Sequence, residues 1–344
     1  MNPVSQPHQY IVRDTGHVVT EHFIGDTMVR ALYARVRENA TWLFNAVTSP
    51  RMSRILATIN YDLPFGTFPA ASTFSRKLGV DLFECHAPER LTSPRKIFER
   101  QIRYWHHRPM PKGRDVVVAP SDSRMLVASL SETHLVEIKG KFFDMPELLG
   151  QRPWCKRFNE GDIAIFRLTP EKYHHNHTPV AGRVEEIFTV DGCCHACHPD
   201  AVVREATPFS KNRRLVTLIN TDVHGGTGVG LVAMVEVVAL MIGSIKQCYS
   251  DHRYEKPVPL MAGQHIKKGA PKSLFSPGSS TVVLLFEKGR IAFDSDLQEN
   301  TRRLDATSRF SSGFSRPLVE TEVRVREGIA TALATPSPKE TRCP

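Results

Sequence analysis

Three short clusters hold side chains able to move protons or open a peptide bond. The densest is Tyr173-His174-His175-Asn176-His177-Thr178-Pro179, in which three imidazoles fall within four positions. A neutral imidazole can serve as a catalytic base, ligate a metal or sit on a polar surface, and the cluster alone fits all three. The second cluster, Ser276-Pro277-Gly278-Ser279-Ser280-Thr281, has the composition of a turn. It also suits one unusual reaction. Glycine leaves the Gly278 carbonyl open to close approach, and the next hydroxyl, on Ser279, can attack that carbonyl to make an ester. Pro120-Ser121-Asp122-Ser123 is the third, and by itself it reads as an Asx-type turn.

Two further clusters lead elsewhere. Cys193-Cys194-His195-Ala196-Cys197-His198 has C-x-x-C spacing, but no second pair of similar quality accompanies it, whereas structural zinc sites need both halves. No metal is therefore expected, and the segment is read as a thiol-rich strand or loop near a pocket. Gly225-Gly226-Thr227-Gly228-Val229-Gly230 lacks the Gly-Lys-Ser/Thr ending of a phosphate loop.

These clusters need elements to hold them. From Gly25 to Val47, Met28, Val29, Leu32, Tyr33, Val36, Leu43, Phe44 and Val47 recur at helical spacing with Arg30, Arg35 and Arg37 among them. Pro50 interrupts this pattern before Arg51, Arg54 and an apolar stretch to Tyr61. Such a basic amphipathic segment either packs on its own domain or lies on an anionic membrane surface. A second helical stretch is expected from Ser93 to Trp105. Beyond it, short β-type runs alternate with Gly, Pro and Asp turns: 116–118, 126–128, 163–168, 215–219 and 281–286. The run Leu231 to Ile242, broken by Glu236, fits a buried strand pair or a buried helix. Val319 to Val325 alternates as one more half-exposed strand. The chain thus divides into an N-terminal helical region (1–110), a β-rich catalytic domain (111–330) and a weakly ordered tail (331–344).

Composition narrows the class. The 344 residues are 41% hydrophobic, enough for a substantial core, and 45 Lys plus Arg against 36 Asp plus Glu leave a formal charge of +9 that favours anionic partners. Arg100, Arg103, Tyr104, Trp105, His106, His107 and Arg108 interleave basic and aromatic residues, yet no nucleic-acid-binding motif is present and none is expected to bind. Seven cysteines are too few for a disulfide scaffold, which points to a reducing compartment. The opening MNPVSQPHQYIVRD carries no apolar signal region, and Val229 to Ile245 is short for a bilayer and contains Glu236. A cytoplasmic protein, peripheral at a membrane surface, is expected.

Taken together and in order, the clusters resemble the phosphatidylserine decarboxylase family. Phe166 to Gly182, FRLTPEKYHHNHTPVAG, is similar to the family pattern F-x-L-S/T-P-x-x-Y-H-x-x-H-x-P-x-x-G. Ile138-Lys139-Gly140 followed by Pro146 to Gly150 resembles its K-G and L-L-G stretch. Lys268-Gly269 through Gly278-Ser279-Ser280 resembles the segment leading into its cleavage site. The likeness runs from about Val12 to Phe286. It implies an α+β fold, with N-terminal helices packed on a mainly antiparallel β core of barrel-sandwich type.

The resemblance also implies a chemistry. The family's processing aspartate falls on Asp122, its principal histidine on His177, the companion histidine on His174 and the cleavage serine on Ser279. Self-cleavage at Gly278-Ser279 would then turn Ser279 into a covalent pyruvoyl group, the cofactor of the reaction. Ser280 makes the next bond the alternative cut, and Ser123 stands where the family often has glycine. The two products, residues 1–278 and 279–344, would stay associated, and a homodimer is allowed. The implied reaction is decarboxylation of a phospholipid, phosphatidylserine, to phosphatidylethanolamine at an anionic membrane surface. A pyruvoyl enzyme for a soluble, for example aromatic, amino acid is the alternative.

Overall fold

The run ending in Phe286 lies at the centre of the protein. In the computed structural model, strand β13 (Ser280–Phe286) is buried along its whole length and pairs antiparallel with β5 (Asp162–Leu168) on one side and β9 (Leu231–Val238) on the other. The structure describes residues 6–23, 25–63, 70–131, 143–240, 244–278 and 280–333. Ser279, the Ile138-Lys139-Gly140 stretch and most of the C-terminal tail lie outside them.

These strands lack polar alternation because both sheet faces are covered. Val282, Leu284 and Phe286 join one core cluster with Ala164, Phe166, Val232 and Met234. Their sequence neighbours Val283 and Leu285 join another with Ile163, Ile165, Ala233 and Val235. Alternate side chains of one strand thus feed two cores, as a period of two requires. On the second face, short helices contribute Met145, Leu148, Val202, Phe209 and Phe310. Two small sheets cover the first.

The large sheet is ten strands in the order β11 (His265–Ile266), β7 (Gly182–Val190), β8 (Arg214–Asn220), β9, β13, β5, β4 (Ser123–Ser129), β15 (Glu320–Val323), β1 (Gln9–Val12), β2 (Val18–Thr20). Every pairing is antiparallel except β1 with β15. The small sheets are β10 (Ile245–Gln247), β12 (Pro271–Phe275), β6 (His175–His177) and β14 (Ile291–Phe293), β16 (Gly328–Ala332), β3 (Val116–Val118). The α+β expectation is met. The sheets face each other as in a sandwich, and among the described residues none closes into a barrel.

Two local expectations change. Leu231 to Val238 is one strand, and Glu236 sits within it rather than dividing a pair. The Gly25–Val47 pattern breaks at Ala40 (φ −144°), and Leu32–Val36 is π-helical. Pro50 interrupts the pattern as expected: the preceding helix ends at Val47, and Pro50 starts the next, Pro50–Tyr61. Proline has no N–H to lose at a first helical position, and the Ser49 side chain caps the turn by accepting from the Met52 N–H at 3.3 Å. Tyr33 and Phe44 anchor the N-terminal helices on Ala196, Ala201 and Leu240. Among the described residues no helix is long and apolar enough to cross a membrane.

Candidate functional site

Strand β6 carries the histidines into the interior: His174, His175, Asn176 and His177 are all buried. It pairs with β12, placing Leu274 opposite His175 and Pro271 opposite His177. At the end of β12 the Phe275 N–H donates to the His174 carbonyl at 3.1 Å, three residues before Gly278. At the other end the His177 N–H donates to the Pro120 carbonyl at 2.7 Å, drawing in the turn that bears Asp122. Two clusters distant in sequence are thereby joined through backbone, and the strand leading to the third lies against them. Gly278 has φ 144°, a conformation that L side chains rarely adopt. Ser279 lies outside the described residues. Ser280, the first residue of β13, has a buried hydroxyl with no hydrogen-bond partner among the described residues. Its carbonyl accepts from the Cys197 thiol at 3.7 Å, so the cysteine-rich segment borders this end of the strand.

Each predicted side chain has a definite environment. Asp122 is gripped by the Arg108 guanidinium (Nε to Oδ1 3.0 Å, Nη2 to Oδ2 2.8 Å) and accepts the Val325 N–H at 2.8 Å. Burial would raise its pKa, but Arg108 and these hydrogen bonds outweigh it and hold the carboxyl below its ordinary range. The other face of Arg108 meets Glu84, at 2.9 and 2.8 Å. His177 holds Nδ1 2.9 Å from the Gly269 carbonyl and Nε2 3.0 Å from the Tyr173 hydroxyl. Burial pushes its pKa down to about 3, with Arg326 and His175 adding to the effect, while the Gly269 hydrogen bond and the Asp122 charge oppose it. Asp122 and His177 thus make their hydrogen bonds to different partners and interact through the field between them.

His174 stacks on Phe98 with ring centroids 3.7 Å apart and sets Nδ1 2.8 Å from the Lys172 carbonyl. That carbonyl can only accept, so the proton is on Nδ1 and the lone pair on Nε2, which is buried and has no hydrogen-bond partner among the described residues. Burial, with Arg100 beyond, keeps this ring neutral far below its ordinary pKa. His175 stacks on Tyr173, and burial lowers its pKa to about 4.

Beneath β6 lies a charge pair. Glu236 of β9 and Lys272 of β12 are both wholly buried and form an ion pair, and the same carboxylate accepts from Ser273 Oγ and, at 2.9 Å, from Asn176 Nδ2. One carboxylate therefore ties together the central sheet, the histidine strand and the strand entering the cleavage turn. A charge inside an otherwise apolar run was its only signal in the sequence. Arg108 and Tyr254 gave none, since their roles arise from contacts across the fold.

Two other clusters of ligand-type residues, His8 with Glu21 and Glu320 and Asp26 with His198 and Asp200, each hold an arginine against their carboxylates. Arg167 pairs with Glu21 and Glu320, and Arg309 with Asp26 and Asp200. Both are ion-pair networks: the first ties the N-terminal segment to strands of the large sheet, and the second ties the first helix to the helices Pro199–Arg204 and Arg309–Phe314.

Comparison with known proteins bears on this constellation. A family model described as phosphatidylserine decarboxylase matches residues 95–310. A protein of Chlamydia trachomatis named phosphatidylserine decarboxylase proenzyme is 33% identical over 299 residues, covering 84% of this chain and 90% of that one. One of the same name from Fusobacterium nucleatum is 26% identical over 308 residues, 86% of this chain and 92% of its own. A rice protein named phosphatidylserine decarboxylase proenzyme 2 is 33% identical over 190 residues, 55% of this chain and 28% of its own.

Proposed function

The chain belongs to the phosphatidylserine decarboxylase family, and on that premise we propose that it converts phosphatidylserine to phosphatidylethanolamine with a pyruvoyl group made by cutting itself between Gly278 and Ser279. The observation that carries this reading is the buried set of His174, His177 and Asp122 packed against the strand that runs into Gly278.

The residues fit such a group. The glycine-only backbone at 278 and the hydroxyl of Ser280, unpartnered among the described residues, flank the proposed cut, and Nε2 of His174 is likewise unpartnered among the described residues. Self-cleavage begins when the Ser279 hydroxyl attacks the Gly278 carbonyl and its proton passes to an imidazole. Elimination from the resulting ester, with loss of the Ser279 α-proton, frees residues 1–278 ending in the Gly278 carboxylate, and hydrolysis of the dehydroalanine left at the new terminus gives pyruvoyl and ammonia. His177 is the assigned base. Asp122, kept ionised by Arg108, compensates the positive charge the ring acquires. When formed, the group supplies the electron sink for decarboxylating an amine-bearing substrate. His174 and His177 then hold and return the proton that replaces carbon dioxide.

A membrane-facing role for the N-terminal helices completes the proposal. Met28, Trp42 and Ile55 are 62%, 75% and 51% exposed, and Arg35, Arg51 and Arg54 are exposed beside them, a pattern suited to an anionic lipid surface.

Mass spectrometry of the purified protein tests the reading. Two fragments split after Gly278 are expected, the smaller blocked by pyruvoyl, with carbon dioxide released from phosphatidylserine vesicles. An intact wild-type chain overturns self-cleavage. Cutting that persists in Ser279→Ala moves the site to Ser280, and release from free amino acids but not vesicles replaces the substrate.

A further inference from the structure

Both nitrogens of His177 are engaged, by groups of different kinds. The Gly269 carbonyl 2.9 Å from Nδ1 can only accept, so Nδ1 carries a proton. In a neutral ring Nε2 is then a bare acceptor, and the Tyr173 hydroxyl at 3.0 Å must donate to it. Tyr173 lies 2.7 Å from the hydroxyl of Tyr254, which meets both polar groups of Ile102, the N–H at 3.2 Å and the carbonyl at 2.9 Å. Burial holds both phenols protonated, their pKa values raised above the ordinary one. The edge of the Tyr104 ring closes on His177 with centroids 4.8 Å apart.

Two proton arrangements satisfy this chain of groups. With His177 neutral, the Ile102 N–H donates to Tyr254, Tyr254 to Tyr173, and Tyr173 to Nε2. With His177 protonated, Nε2–H donates to Tyr173, Tyr173 to Tyr254, and Tyr254 to the Ile102 carbonyl, which has a second lone pair beside the one taken by the Tyr104 N–H. Each hydroxyl holds one proton before and after, because Tyr173, which occupies the one lone pair of Nε2, passes its own proton to the ring and takes the serine proton in its place.

We propose that Tyr173 is the proton relay, and Tyr254 its positioning residue, in self-cleavage: a two-way hydroxyl chain that holds His177 in its Nδ1–H form, carries the serine proton to Nε2 through Tyr173 and reverses to accept from the imidazolium so formed. The part played in cleavage rests on the function proposed above, whereas the ring's tautomer does not. A hydrogen bond accepted from an imidazolium is stronger than one donated to a neutral ring, so the chain helps most when the charge appears.

Two measurements test this. ¹⁵N-histidine NMR of the Ser279→Ala chain should show His177 as the Nδ1–H tautomer with a hydrogen-bonded Nε2, and Tyr173→Phe in that chain should abolish the Nε2 bond. In the cleavable chain Tyr173→Phe should slow self-cutting about tenfold and Tyr254→Phe by a smaller factor, with melting temperatures near the parent's. An Nε2–H tautomer, or wild-type cutting rates in both variants, overturns the proposal. If Tyr173→Phe does not fold, Tyr254→Phe decides, and a wild-type rate there overturns it. A wild-type chain that never cuts defeats the proposed function and the role in cleavage, while the NMR still decides the tautomer.

Discussion

Lys272→Met isolates the buried charge pair. It removes the cation from a wholly buried Glu236 whose remaining donors are Ser273 and Asn176. Stranding a buried carboxylate costs about 3–5 kcal/mol. A chain of 344 residues unfolds with an entropy of about 0.7 kcal/mol per kelvin, so the melting temperature should fall by about 4–7 °C. The double variant Glu236→Leu/Lys272→Met should recover most of that loss, because two apolar side chains of similar volume avoid desolvating two charges and Asn176 keeps its 3.2 Å bond to Ser273. The assay is calorimetry with urea titration in a Ser279→Ala background, which keeps every sample uncut. Completing the cycle with Glu236→Leu alone should give a coupling of several kcal/mol. A fall of under about 1 °C in Lys272→Met, or losses that simply add in the double variant, would refute the assignment of Glu236 and Lys272 as a coupled pair.

Two further outcomes follow from the site. Gly278→Ala places a side chain at φ 144°, a strain of about 1–3 kcal/mol, and should slow self-cutting at least about tenfold on a gel time course; an unchanged rate would show that the turn relaxes freely. Acid should destabilise the fold well above the carboxylate range. His174, His175 and His177 are kept neutral when folded, with pKa values below the ordinary 6.5, so the stability they confer is present above about pH 6.5 and is lost as pH falls towards about 4 and 3. The limiting slope is about 1.4 kcal/mol per pH unit for each ring, and urea midpoints should drop steadily from pH 6.5 to 5; a flat profile would mean the rings are charged in the native state.

The candidate clusters and their order along the chain could be read from the residues alone. Asp122, the histidine run and Gly278-Ser279 are local in character, and although each alone fits several roles, together and in order they resemble one family's pattern. Several strands were legible too, since runs such as Ile163 to Leu168 and Thr281 to Phe286 are written in consecutive residues. The form of Leu231 to Val238 was not, because a segment buried on both faces loses the period that separates strand from helix. β1 (Gln9–Val12) was missed as well, since its partner β15 is about three hundred residues away in the chain. The tertiary structure alone decided which partner each reactive group has. Arg108 holds Asp122, Gly269 and Tyr173 divide the two nitrogens of His177, Tyr254 reaches them from another segment, and Lys272 neutralises Glu236. Hydrogen bonds and ion pairs act over about 3 Å whatever the separation along the chain, so only the folded arrangement specifies them.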